Sequence, residues 1–487
     1  MNQMMQEPAM TVLLGLPFHD LTLTETLDYC REAMAGNVSR YLVTANVDFT
    51  TQAYEDEDLK KIVFFADRVV CDGMPLVWLS RLFGYPLRER VAGSDMVPKL
   101  LEICAETRRS VYFFGSDLAT LEEAKVIVEA RYPGLKVAGM DSPAHGAVIE
   151  WDNEGLCERM RASGASLLLA CLGCPKQERW IFAHHQDAGI PLSIGVGASL
   201  DFITGKQKRA PMWMRKSGLE WFWRMSSSPS RLVARYRKDF VFLLKASLRQ
   251  AFAQWRREKI EEMTVPLLPS VDEQIVHVTR IEWAGELRQA GLEKAEVPGV
   301  IEFPVLLDGS QVSFMDSSGL GRVALLVRSC RTARQPLIVV NPSLAFQKAI
   351  SAAQMGSFLT IVDSEVAALA LLSEQSVQEV VPCKASRDGV VWVSFNRSLD
   401  ALYHDEMMSV FDSVIGEDSE AKSLVVDLRQ VGFIDSRAVG GLIRVWKLMK
   451  ARGGGMYLSG ANATVSEIIA LLRLDKILTP WKGPLPE

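Results

Sequence analysis

The stretch VVCDGMPLVW (69–78) places Asp72 just past two valines and a cysteine that read as the end of a buried strand. A carboxylate there, beside a glycine that lets a ligand approach the backbone, can take a proton from a hydroxyl. It can equally cap the helix that follows. Arg90, in ERVAGSD (89–95), could meet growing negative charge or form a surface ion pair; Gln177, in CPKQERW (174–180), could bind a substrate or begin a helix. Asp56-Glu57-Asp58 spells a D-x-D pattern, but it opens a helix-like segment, YEDEDLKK, where carboxylates complement the helix dipole. It is read as structural. Cys171 and Cys174 have C-x-x-C spacing without a second such pair, so no zinc or redox site is expected.

Something must carry these residues to one place. Apolar runs at 41–47, 68–73, 110–116, 166–173 and 192–198 alternate with amphipathic stretches such as 94–107 and 117–131. Strand–helix alternation predicts a parallel sheet with helices on both faces, and ligands in such sheets sit beyond the carboxyl ends of the strands. Thr44, Asn46, Asp72, Gly115 and Gly195 all fall near predicted strand ends. GVGASL (195–200) imitates a dinucleotide fingerprint but lacks its third glycine.

The chain has 487 residues, enough for several domains, and a net charge of −5. Residues 206–259 hold fifteen Lys+Arg against three Asp+Glu, a local net of +12, so the remainder carries −17. Leu232, Tyr236, Phe240, Leu244, Leu248, Phe252 and Trp255 recur there at three- or four-residue steps among the cations, predicting a basic amphipathic helix. Such a helix can dock on its own protein or lie on an anionic bilayer. No apolar run reaches the length of about 18 residues that a spanning helix needs, and the N-terminus does not resemble a signal peptide. The expected location is cytoplasmic.

After VPLLPS (265–270), read as a linker, VLLDGSQVSFMDSSGLG (305–321) aligns without gaps to LVVDLRQVGFIDSRAVG (424–440) at a constant offset of 119. Each copy reads as a buried strand, a turn and an amphipathic helix, followed by another strand. Two α/β domains of roughly 100 residues are expected, joined near PCKASRDG (382–389).

TANVD (44–48), CDGMPLVW (71–78), ERVAGSD, CPKQERW, IGVGASLDFITGKQKRAPMWMRKSGLEW (194–221) and RYRKDF (235–240) together resemble, in order and spacing, the WecG/TagA/CpsF family of bacterial glycosyltransferases over about residues 11–250. The resemblance implies a Rossmann-like α/β core at 1–204 with a basic helical appendage at 205–262. It implies inverting transfer of an N-acetylmannosamine-type sugar from a UDP-sugar to a polyprenyl-diphosphate-linked acceptor, in teichoic acid, capsule or exopolysaccharide synthesis. By the same resemblance Asp72 is the base that deprotonates the acceptor, and Arg90 steadies the leaving diphosphate. Thr44 and Asn46 stand near the donor sugar, and Gln177 binds donor or acceptor. Gly195, Gly197 and Asp201 meet nucleotide phosphates. Arg215, Arg231, Arg235 and Arg237 belong to an appendage that closes over the site and meets the acceptor diphosphate at the membrane. No metal or other cofactor is implied, and no nucleic acid partner.

FMDSSGLG (314–321) resembles the signature of STAS domains, the fold of anti-sigma-factor antagonists, and FIDSRAVGG (433–441) is a divergent version. The resemblance implies an interaction or regulatory role, with Ser317, Ser318 or Ser436 as phosphate acceptors for a kinase partner; the competing reading is that Asp-Ser caps the helix. The expected layout is then a linker at 263–274, a first STAS domain at 275–378 and a second at 386–483. The enzyme would be peripheral on the inner face of the membrane; whether it forms a homo-oligomer stays open. Two rivals stand beside this reading: a non-catalytic scaffold with a degenerate transferase domain, and a nucleotide-sugar oxidoreductase.

Overall fold

A computed structural model describes residues 8–255 and 278–483, apart from 145, 208, 212, 215–219, 221, 224–228, 289–291, 293–294, 334, 378–382, 388–389, 396–398, 400–402, 418–422, 432–433, 435, 462–464, 467–468, 470–478 and 482. The expected linker at 263–274 lies outside the described residues. The chain forms two compact units, one running through Leu372 and the other comprising chiefly Ser373–Glu487.

The first unit opens with a hairpin, β1 (Met10–Leu13) and β2 (Leu16–His19), followed by α1 (Leu23–Ala35). Then come β3 (Arg40–Ala45), α2 (Val47–Glu55), α3 (Glu57–Phe64), β4 (Arg68–Cys71), α4 (Met74–Leu82) and α5 (Gly93–Glu106). The series continues with β5 (Ser110–Gly115), α6 (Leu118–Arg131), β6 (Lys136–Asp141), α7 (Asn153–Ser163), β7 (Leu167–Cys171), α8 (Lys176–Ala188), β8 (Leu192–Gly195) and α9 (Ser199–Ile203). Strands β3–β8 form one parallel sheet in the order β4-β3-β8-β7-β5-β6. The five predicted strands are all present. Each is a short apolar run with both faces covered; β7, LLLAC, is buried along its whole length. The strand missing from the sequence reading is β6, an edge strand with one buried residue and therefore no apolar run to see. The parallel pairing sends the ends of β3, β4, β7 and β8 to one edge, so residues 44–46, 72, 172–177 and 195–197 gather there.

Local chemistry fixes the helices. The Thr22 hydroxyl and the Glu25 carboxylate form a reciprocal cap at the start of α1. Asp56 accepts from the Leu59 amide at 3.0 Å and pairs with Arg179 at 2.6 Å, so the first acid of the D-x-D pattern caps α3. A basic helix, α10 (Pro229–Trp255), follows the sheet domain and packs along α2, with the Phe242 and Tyr54 rings 5.1 Å apart.

The first repeat copy gives β9 (Thr279–Leu287), β10 (Val305–Met315), α11 (Ser317–Thr332), β11 (Leu337–Val340), α12 (Leu344–Ala352), β12 (Thr360–Val362) and α13 (Glu365–Val377). Its strands pair in parallel in the order β12-β11-β10-β9. Asp316 caps α11, accepting from the amides of Ser318 at 2.8 Å and Gly319 at 3.0 Å. Ser317 is 1% exposed and Ser318 7%. This copy is not a separate bead after a linker. Val12 and Phe64 from the first part join Trp283, Leu287, Leu320 and Val323 in one apolar core.

The second unit contains β13 (Cys383–Arg387), β14 (Val390–Ser394), α14 (His404–Glu417), β15 (Ser423–Asp427), α15 (Ser436–Ala451), β16 (Gly455–Ser459) and β17 (Thr479–Pro480). The sheet order is β13-β14-β15-β16-β17, with β13 antiparallel to β14 and the others parallel. The PCKASRDG stretch expected to join the copies is itself strand β13, so this sheet begins at Cys383 rather than after 386. Ser436 begins α15, and its side chain lies outside the described residues.

Candidate active site

Asp72 follows β4 directly, and its amide donates to the Ala45 carbonyl at 2.9 Å, which extends the pairing of β4 with β3 by one step. It does not cap the next helix: Gly73 is the N-cap of α4, with no side-chain cap bond, and Pro75 stands in the first turn. The Asp72 side chain is thus left at the sheet edge, 24% exposed. It lines a cavity of about 350 Å³ together with Asn46, Arg90, Glu220, Arg235 and Asp239. Met74, Trp78, Phe240 and Leu243 supply the apolar part of the wall.

Arg90 faces Asp72, with Nη1 3.8 Å from Oδ1. Two further carboxylates fix its fork: Nη2 donates to Asp95 at 2.6 Å and Nη1 to Glu220 at 3.1 Å. Arg209 holds the other oxygen of Asp95 at 2.7 Å. Three acids and two guanidinium groups form one network at the sheet edge, and Glu220 brings the segment after the sheet domain into it. Asp95 and Glu220 stand inside the motif blocks of the sequence, but only the fold shows that they converge on Arg90.

The other candidates separate into two groups. Asn46 lines the cavity while its Oδ1 caps α2, accepting from the Phe49 amide at 3.0 Å. Arg235 also lines the cavity, yet its Nε lies 3.3 Å from Asp48, so it is already paired with an acid of α2. Thr44 is half-buried beside Gly93, where a Cβ would meet its hydroxyl at 3.5 Å and the Val196 backbone at 3.9 Å. Arg237 is exposed on α10. Arg215 and the side chain of Arg231 lie outside the described residues.

Gln177, Gly195 and Gly197 are packed and bonded to one another and to Glu178. Gln177 is 5% exposed, and both ends of its amide are taken. Its Oε1 accepts from the amides of Gly173 and Gly197, each at 3.1 Å, and its Nε2 donates to Glu178 at 2.7 Å. It ties the loop after β7 to the loop after β8 rather than reaching into the cavity. Gly197, at φ +52°, spends its amide on that tie. Gly195 is required by packing: a Cβ there would come 2.5 Å from Gln177 Nε2 and 2.9 Å from Glu178. Glu178 is buried, and burial pushes its carboxyl up to about 7. Asp201 is half-exposed, accepts from Gln207 at 3.0 Å and is raised by partial burial.

Asp239 is a cavity residue that the sequence reading did not single out. It is 4% exposed, and burial, then the charge of Asp48, pushes it up to about 6. The neighbouring Thr51 hydroxyl pulls the other way, but it donates to the Val47 carbonyl at 3.0 Å.

Residues 11–257 match the model of the Glycosyl transferase WecG/TagA/CpsF family. The chain belongs to that family. This glycosyltransferase also matches the STAS domain model at 225–368 and 382–483, so the segment of α10 falls within both matches. An N-acetylglucosaminyldiphosphoundecaprenol N-acetyl-beta-D-mannosaminyltransferase of Bacillus spizizenii is 29% identical over 217 residues, covering 44% of this chain and 82% of that one. The protein of the same name from Staphylococcus aureus is 26% identical over 235 residues, covering 48% and 90%. A Thermotoga maritima protein of known structure is 21% identical, covering 20% of this chain and 85% of that one at a TM-score of 0.20. Among the described residues of the glycosyltransferase no helix is long and apolar enough to cross a membrane.

Proposed function

We propose that this glycosyltransferase moves an N-acetylmannosamine-type sugar from UDP to a hydroxyl of a polyprenyl-diphosphate-linked sugar, with inversion at the anomeric carbon. The observation that carries this reading is the pairing of Asp72 with Arg90 on the wall of one cavity. Asp72 takes the acceptor hydroxyl proton as the new C1–O bond forms. The bond from C1 to the diphosphate oxygen breaks on the opposite side, and UDP leaves with the electron pair. Arg90 meets the charge that grows on the leaving diphosphate, where a preoriented guanidinium is worth most. Arg90 is already held by Asp95 and Glu220, so it needs no reorientation during the step. With Arg90 given the task of countering the diphosphate charge, transfer is expected to persist in a chelator.

The names of the relatives support an undecaprenyl-diphosphate N-acetylglucosamine acceptor. Synthesis of teichoic acid, capsule or exopolysaccharide is where such a product would be used. The test is UDP release by the full chain across a panel of UDP-sugars, with and without a lipid-diphosphate N-acetylglucosamine. Acceptor-dependent release with a UDP-N-acetylamino sugar is expected. Absence of release with every donor would favour a scaffold role.

The acceptor's lipid tail brings the enzyme to the inner face of the membrane. Phe240, Leu244 and Leu248 stand at i, i+4 and i+8 on α10 and are all exposed, while Lys238, Lys245 and Arg237 supply cations. Phe240 belongs to the cavity wall as well, so a bilayer on this face would lie at the cavity mouth. All three are more than half exposed, so replacing them by serine disturbs little packing. The expected result is a more than tenfold loss of binding to anionic vesicles, read by co-sedimentation. Undiminished binding would place the membrane contact elsewhere.

A further inference from the structure

None of the described residues that line the cavity comes from the β9–α13 body (Thr279–Val377) of the first STAS match. Its helix α11 nevertheless reaches both of the elements that deliver the reacting groups, β4 through the β1–β2 hairpin and the 83–92 segment through Tyr85. We propose that this domain acts in cis as the clamp that holds Asp72 and Arg90 in register, so that turnover depends on its docking. The proposal rests on the roles given to Asp72 and Arg90 above.

One arm runs through the β1–β2 hairpin, which lies between α11 and β4. Gly321 sits against the Met10 carbonyl so closely that a Cβ would overlap that oxygen. Arg328 Nη1 lies 3.2 Å from His19 Nε2, and the other ring nitrogen of His19 accepts from the Val69 amide at 3.0 Å. Val69 is in β4, three residues before Asp72. Burial, and then the charges of Arg328 and Arg68, hold His19 well below its usual range, so the ring is neutral: Nδ1 accepts the Val69 amide, the ring proton sits on Nε2, and Arg328 meets that edge as a packing contact and not as a hydrogen-bond donor. Arg328 also stands 3.9 Å from Asp67, at the foot of β4.

The second arm is Tyr85. Its hydroxyl faces the start of α11, where burial and then the charge of Asp316 raise it above its ordinary range. Tyr85 lies on the 83–92 segment, which also carries Arg90 and returns to β4 where the Val91 amide donates to the Cys71 carbonyl at 2.8 Å. Away from these arms, the Phe64 and Phe358 rings stack at 4.1 Å, and Arg331 covers the Phe65 ring at 3.3 Å. Lys60 donates to the Gln354 carbonyl.

Ser317 and Ser318 are buried beside the Asp316 carboxylate. A phosphate there would bring close to two negative charges into a closed space that already holds one.

The test uses the full chain carrying Gly321→Ala. Alanine favours the helix itself by about 1 kcal/mol over glycine, so the STAS domain keeps its own stability while the Met10 contact is pushed open. Amide hydrogen exchange at 10–19 is expected to accelerate, and kcat to fall tenfold or more with the KM for the UDP-sugar changed less than threefold. Tyr85→Phe tests the second arm without a clash, and a kcat loss of threefold or more is expected. Faster exchange with undiminished turnover would overturn the clamp, and so would Gly321→Ala exchanging at 10–19 like the wild type. Wild-type protein that turns over no sugar would instead sink the proposed reaction, while exchange in Gly321→Ala would still report whether α11 is docked.

Discussion

Asp72→Asn is expected to fold as the parent does and to lose transfer by a factor of 10² to 10⁴, the usual contribution of a positioned general base. The substitution is nearly isosteric, and it removes a charge from a side chain that is 24% exposed rather than buried in packing. Its backbone bond to Ala45 remains, so β4 keeps its place. The loss should fall on kcat, because the amide can still accept a hydrogen bond from the acceptor hydroxyl but cannot take its proton. Turnover near that of the parent would remove Asp72 from the role of base, and a capping role cannot stand in, since Gly73 starts α4 without side-chain help.

Arg90→Lys is expected to lower kcat by about tenfold to a hundredfold while the protein remains folded, because one ammonium cannot reproduce the geometry of a fork. In the parent the guanidinium reaches Asp95 with one nitrogen, and with the other Glu220 and, at longer range, Asp72. A lysine keeps the charge but not this orientation, so it meets the leaving diphosphate less well. The fall should appear mainly in kcat, since the charge on the leaving group grows in the transition state. Equal kcat with a raised KM would mean that Arg90 binds ground-state donor and does not steady the departing group.

The sheet and its working edge were legible because β3, β4, β5, β7 and β8 are short, largely apolar runs, and each gives way within two residues to a polar or glycine residue. The long basic helix was legible from its period. The β1–β2 hairpin was not, because eight strand residues around Leu14-Gly15 make no repeating pattern. The role of Gln177 was hidden for a different reason. A motif marks the residue but not the direction of its side chain, and here both amide atoms point to loop backbone and Glu178. Glu220 stands 130 residues from Arg90, and no spacing rule links two such positions. The seat of the first STAS domain on the transferase was invisible for the same reason. Gly321 reads as an ordinary helix glycine until the Met10 carbonyl is found beside it.

The anomeric configuration of the product, read by NMR after transfer from an α-linked UDP-N-acetylamino sugar, tests the central claim most directly. Direct displacement by a hydroxyl that Asp72 deprotonates must invert the centre, so a β-linked product is expected. An α-linked product would require a covalent or front-face route and would contradict the roles given to Asp72 and Arg90.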